Sequence, residues 1–513
     1  MKKLSIIATT SILAAIMVVG CGDDSDDNPG APTSGSKGNE AGEGGSDSNG
    51  GTKSPAGTKS DGGTKNIAGT KGDAGDATGG TESLAGAGGG GPVEPSCPDV
   101  YADRPEGIKD IPVDENGNIT VDTLTSDTIW TLNGINYVKP DSTLTIEPCT
   151  LIEGTPSPDS GSLIVQRGAK IHAVGTPNAP IVFTSQAHDV SLDWGGVILL
   201  GSAPISPAVD TDTERKFEGL TDERVTFGGS TEDDNSGEIA YVRIEFGGKE
   251  IVAAKEINGL SFGGVGSATT VHHVMVKSQA DDCFEWFGGT ASADHLICQN
   301  ADDDMFDTDE GYRGQLQFLF GRNTLAATEA DPRGLEWDGN KPLPAAAEAK
   351  RSMPMGSNIT VCGQTGGPSI GGAFRSNLAA GSLAMNMIVT GFDVGVDTTF
   401  DNGTPAEPTF AITNSLFFGG VTADSGNPAE TDNDAGFDEV AWIAADGAGN
   451  TVGGDAPAGF DCYANPPVAP TEPVEGGEPT GFGDEAATFV GAFGADNWAD
   501  GSWVDWNDDG PGL

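Results

Sequence analysis

The densest chemistry in the chain is a set of aspartates: Asp281 and Asp282, then Asp302, Asp303 and Asp304, then Asp307 and Asp309. They sit in two near-copies of one unit. Val274, Val276, Ala280, Asp281 and Asp282 are answered by Leu296, Cys298, Ala301, Asp302 and Asp303, at an offset of 22 residues that becomes 21 at the acidic run. Stacked in that register, Asp281 lies over Asp302 and Asp282 over Asp303, roughly 4.8 Å apart. Like charges so close repel, and each resists ionising unless a cation intervenes. One Ca²⁺, with oxygens at about 2.3–2.6 Å, can bridge such a pair, and Asp304, Asp307 and Asp309 are placed to complete its shell. The competing expectation is a solvated acidic turn, screened by salt and by Lys277 or Arg313. Carboxylate catalysis is the third.

The remaining candidates are weaker. Of five histidines, His272 and His273 are adjacent and none lies beside the acids in sequence, so they read as an ordinary pair with one ring in and one out. Phe284, Trp286 and Phe287 suit core packing better than a sugar-stacking platform. Asp505, Asn507 and Asp509 match only the start of a calcium loop whose twelfth position is not reached. Six cysteines besides Cys21 (Cys97, Cys149, Cys283, Cys298, Cys362 and Cys462) read as disulfide candidates, with about 15 possible pairings. Cys283 and Cys298, nearest in sequence, do not stack on a coil of 21–22 residues. A bond between them must cross the narrow interior or a corner, and would contribute about 3 kcal/mol. No CxxC spacing points to metal.

These side chains need a scaffold, and the tandem repeat supplies it. A unit of this length, with short apolar strands and Asn, Asp and Gly at the joins, buries its apolar face only by stacking on neighbours. The fold expected is all-β, a parallel β-solenoid. Strands are placed at Leu144–Ile146, Leu151–Ile152, Leu163–Val165, Ile171, Ile181–Phe183, 196–200, 239–244, 260–262, 315–320, 359–361, 385–389 and 410–418, with early separations of about 16–19 residues. Residues 202–237 and 322–357 read as long excursions leaving the solenoid. The Trp-rich stretch 440–513 reads as a cap over its open end.

Ahead of the solenoid, which is placed at 97–513, two segments differ in kind. Residues 1–21 carry Lys2 and Lys3, an apolar run and Val18-Val19-Gly20-Cys21, which resembles a bacterial lipobox with Cys21 as the lipidated residue. Residues 22–96 are poor in large apolar side chains and hold GTK repeats from Gly51, Gly57, Gly63 and Gly69. This is a disordered tether with a reach of roughly 50 Å, or about 250 Å fully drawn. The formal charge of −51 disfavours nucleic acid and anionic surfaces and favours divalent cations.

The segments IEPCTLIEG, LIVQRGAKIHAVGTPNAPIVFTS, DWGGVILLG, DDCFEWFGGT, ADDDMFDTDEGYRGQLQFLFG and FVGAF…NWADGSW together resemble a family of bacterial envelope lipoproteins and secreted proteins. The resemblance implies a right-handed parallel β-helix of the pectin-lyase-like kind over roughly 110–513. It fixes no reaction, because that scaffold carries lyases, hydrolases, adhesins and inert stalks. The Gly-His-Gly and Arg-x-Lys signatures of the galacturonan hydrolases are missing. The function expected is a lipid-anchored envelope protein, at the outer membrane, acting as a non-enzymatic binding or structural module towards glycans. The alternative is a calcium-dependent polysaccharide lyase or hydrolase using Asp281, Asp282, Asp302, Asp303 and Arg313.

Overall fold

The computed structural model describes Cys97 and residues 101–507, apart from 157–159, 189–193, 207–212, 250–256, 326, 328–331, 340–351, 365–370, 376–381, 400–409, 420–437, 446–447 and 496. The readings for Cys21, the tether 22–96 and Asp509 lie outside these residues.

Strand follows strand in parallel, each rung hydrogen-bonded to the next coil rather than to its neighbour in sequence. Parallel crossovers of this kind are right-handed, and the result is a right-handed parallel β-helix. One sheet runs from Ile135–Val138 through Leu260–Gly263, Phe284–Phe287 and Phe306–Asp309 to Asp397–Thr399. A second is built of long strands such as Gly237–Glu245, Thr270–Gln279 and Ala293–Ala301, each bent near its middle, and Arg215–Lys216 pairs with Thr226–Phe227 in a small antiparallel third. The bend explains how Gly237–Glu245 pairs with Lys170–Val174 through its first half and with Ile181–Ser185 through its second. Each coil therefore has three faces.

The residue at the bend is left-handed in successive coils: Tyr241, His273, His295, Phe318, Asn358, Asn386 and Asn414 all have φ between 52° and 60°. Asn tolerates that conformation through local hydrogen bonds. The bulkier residues are held there by stacking, with ring centroids 4.6 Å apart for Tyr241–His273, 4.3 Å for His273–His295 and 4.6 Å for His295–Phe318. The expected in-and-out histidine pair is thus wrong in detail, since His272 and His273 are both half-buried at this corner.

The interior is filled by stacked side chains, including Phe262 over Trp286 at 5.1 Å and Phe284 over Phe306 at 5.5 Å. Trp286 and Phe284 belong to this core and Phe287 packs outside it against Phe217 and Phe227. None is free as a platform. The Cys283–Cys298 disulfide crosses the interior, and Cys97–Cys149 and Cys362–Cys462 complete the set.

Five further sequence expectations change. The 16–19-residue spacing linked strands of different faces; true rungs are longer, Ile129 pairing with Leu151 and Leu163 with Val197. The described part of 202–237 does not leave the solenoid but folds back over the short sheet, packing Phe217, Val225 and Phe227 on Ile198, Leu200 and Phe287. The second excursion contains a rung, Glu336–Trp337. The supposed cap splits in two. Glu439–Ile443 and Thr451–Val452 finish the last rung. Residues 460–507 instead run back along a flank, where Trp503 and Trp506 pack on Met275, Ile297 and Phe320. Lys277, offered above as a screen for the aspartates, is fully buried on that flank and pairs with Asp505 at 2.7 Å.

Candidate cation site

A uniform offset of 22 governs the acidic corner, because Phe284 pairs with Phe306 and Glu285 with Asp307. Asp282 therefore lies beneath Asp304, not Asp303, and its Oδ1 accepts the Asp304 N–H at 2.8 Å. The Asp304 Oδ1 accepts the Arg333 N–H of the following coil at 2.7 Å. The apparent 21-residue repeat came from aligning aspartate with aspartate. The register that matters is set by the phenylalanines packed inside.

Alternation places Glu285 and Asp307 outside the short sheet once Phe284 and Phe306 point in. One column results: Ser261, Glu285, Asp307 and Glu336. Three groups have ligand oxygens all within 4.8 Å of one another: Asp281, Asp282 and Asp303; Asp282, Glu285 and Asp307; and Asp304, Asp307 and Glu336. Asp302 and Asp309 join none of them. Glu285 and Glu336 were missed by the sequence reading, although Glu285 is legible from alternation in FEWF.

The solvated-turn reading fails for the central acids: Asp282, Glu285, Asp304 and Asp307 are buried, while Asp281, Asp302 and Asp303 are half-buried. Burial holds all four carboxyls well above their usual range, and neighbouring acids add to it: Asp281 at Asp282, Asp307 at Glu285, Asp303 at Asp304 and Glu336 at Asp307. Among the described residues the Arg333 guanidinium answers them in part, 3.4 Å from Glu336 and 4.0 Å from Asp304. The carboxyls of Glu285 and Asp307 face one another, as do those of Asp304 and Glu336, and each pair favours holding a proton.

The surroundings carry a second signal. Asp307 Oδ1, Ser261 Oγ and Asn258 Oδ1 are buried oxygens with no hydrogen-bond partner. Ser261 stands directly below Glu285, and the Asn258 amide donates to it. Leaving such atoms unpaired costs about 1–3 kcal/mol each. Neutral oxygens beside carboxylates are the donor set a hard dication takes. The residues fit calcium.

Arg313 is placed elsewhere. It follows Phe306–Asp309 while the aspartates at 302 and 303 precede it, so the strand, roughly 10 Å of chain, separates them. A further group, His273, Asp294 and His295, also has donor atoms within 4.8 Å. Its two imidazoles are stacked at 13°, so their in-plane lone pairs run side by side rather than converging on one ion. Burial, with the charges of His295 and His272, pushes His273 down to about 3. We read this group as part of the stacked corner.

The sequence matches the profile described as a pectate-lyase-like beta-helix domain over residues 117–459, more than half of the chain. No curated protein and no solved structure matches.

Proposed function

Because the chain belongs to the pectate-lyase-like β-helix family, we propose that it uses this scaffold without catalysis, as a calcium-pinned binding module of the bacterial envelope directed at glycans. The N-terminal lipobox supports anchoring through Cys21 at the outer membrane, with residues 22–96 as the tether. Calcium is the structural cofactor, held by Asp282, Glu285 and Asp307 with the neutral oxygens of Ser261 and Asn258.

The burial of this carboxylate column carries the reading. An ion there neutralises stacked charge and ties coils together. The same burial keeps a polymer chain from the acids, and Arg313 lies at the far end of the strand. The alternative, calcium-dependent cleavage of a polysaccharide, draws on the raised carboxyls, which are common at active sites.

The test combines two measurements on the full chain. Calcium in large excess over its Kd, at about 100-fold, stabilises by about 2.7 kcal/mol, a shift of a few degrees that Asp307→Asn removes. A depolymerisation screen over acidic and neutral polysaccharides, with calcium, yields no product. Release of oligosaccharides that Glu285→Gln abolishes would replace this reading with the enzymatic one.

A further inference from the structure

The carboxylate column points away from the core, so what lies over the short sheet decides how it is shielded. Arg215–Lys216 and Thr226–Phe227 form a two-stranded flap there. Phe217 meets Phe287 edge-on at 5.2 Å, and Phe227 lies 6.3 Å from the same ring. The Arg215 guanidinium sits 5.9 Å over Phe287 and pairs with the buried carboxylate of Glu310. Phe287 follows Glu285 on one rung, and Glu310 follows Asp307 on the next. The flap is thus fastened to both strands that carry the candidate ligands. Its apolar side chains also pack on a cluster that includes Ile198, the residue directly below Ser261 in the column.

Glu218 is carried between these anchors. It is the second residue of a turn closed by the Leu220 N–H on the Phe217 carbonyl at 3.3 Å. Gly219 takes the φ of 65° that such a turn needs at its third position. Phe217 and Leu220, on either side, both pack on the same apolar cluster, which leaves Glu218 half-buried at the edge of the column. Burial and Asp307 raise the Glu285 carboxyl most, and the charge of Glu218 comes next. Apolar packing therefore holds one more acid against a column that already repels itself. Without an ion these charges push the flap away, and with one they draw it in.

The buried, unpaired oxygens of Asp307, Ser261 and Asn258 point to a ligand independently of any carboxylate count. Asp282, Glu285 and Asp307 with these two neutral residues offer fewer oxygens, at one each, than the roughly six to eight that calcium takes. We propose that Glu218 is a further calcium ligand, supplied by the flap, so that the ion latches segment 213–227 over the column. This inference rests on the calcium reading and adds to it a ligand from outside the coils. Coupling of this kind is reciprocal, since calcium favours the closed flap by the factor by which the closed flap favours calcium.

The experiment pairs calorimetric calcium titration with hydrogen exchange of residues 213–227, both on the full chain. In the wild type, calcium binds and slows exchange of the Phe217 and Gly228 amides, which donate to Val225 and Gly201. Glu218→Gln keeps the turn, weakens calcium about tenfold, and loses the same factor from the slowing. In EDTA this variant exchanges more slowly than wild type, because a repelling charge is gone. Glu223→Gln removes an acid of the same flap that pairs with Lys216 instead, and it changes neither calcium affinity nor the slowing. Full calcium affinity in Glu218→Gln, or flap exchange that calcium leaves unchanged, overturns this inference while the calcium reading stands. A wild type that binds no calcium removes both.

Discussion

The buried carboxylate column makes stability fall with pH more steeply without calcium than with it. In EDTA burial and like-charged neighbours favour protons on the carboxyl pairs Glu285–Asp307 and Asp304–Glu336, and the expectation is one proton kept by each pair. The unfolded chain releases them near the ordinary carboxylate values, about 4. A group whose folded pKa is raised contributes stability that is complete below the unfolded value and is lost as pH rises towards the folded one. Each retained proton gives a slope of about −1.4 kcal/mol per pH unit, so two give about −2.7. His273 opposes this. Its imidazole is pushed down to about 3 and stays neutral in the fold, so between that value and the unfolded value stability rises with pH. The ring is only half-buried, and solvent screening reduces its share to about 1 kcal/mol per unit. The net change from about pH 5 to pH 6 in EDTA is a loss of roughly 1.5–2 kcal/mol. Saturating calcium, held by Asp282, Glu285 and Asp307, displaces the proton of its own pair and leaves the other, so the remaining slopes of about −1.4 and about +1 kcal/mol per unit nearly cancel. Urea transitions followed by tryptophan fluorescence, with and without calcium, read both slopes. Stability in EDTA that is flat or rises over this interval refutes the shared protons, and with them the packing of these acids.

Other expectations follow from single contacts. Burial alone would raise Asp505, but the Lys277 ammonium more than offsets it and holds the carboxyl low, so this pair's contribution fades only as pH falls below the ordinary carboxylate range. Asp505→Asn leaves Lys277 buried without a counter-charge, costs about 3 kcal/mol, and exposes the C-terminal segment to limited proteolysis. Gly237 has φ of 112°, and a Cβ there would meet the Ile171 carbonyl, so Gly237→Ala lowers stability by more than about 1 kcal/mol in thermal melting. Cys298→Ala removes a bond closing 15 residues and costs about 3 kcal/mol. Non-reducing peptide mapping of the wild type yields the three named pairs. Cys21→Ala moves the protein from the membrane to the soluble fraction; a wild type that is already soluble removes the anchor.

The solenoid was legible in the sequence because its cause is local. An apolar strand with polar joins, repeated at Val274–Val276 and Leu296–Cys298, buries its inner face only on a stacked copy, and alternation in FEWF and FDTD already says which residues face in. Register was not legible to the same precision. Matching aspartates suggested 21 residues, but Phe284 over Phe306 fixes 22, since a one-residue slip would turn a buried phenylalanine outward. That single residue moves Asp282 from Asp303 to Asp304. The disulfide pairs likewise waited for the fold, because partners across an interior are set by corner positions rather than by spacing. The burial of the acids and of the aromatic flank depended on segments distant in sequence, the returning stretch 213–237 and the C-terminal residues 460–507. Nothing in their polar composition announces where they lie. Their place is decided by which apolar side chains they bring, Phe217 and Phe227 on one face and Trp503 and Trp506 on another, and such a match exists only once the coils have formed the surface that receives it.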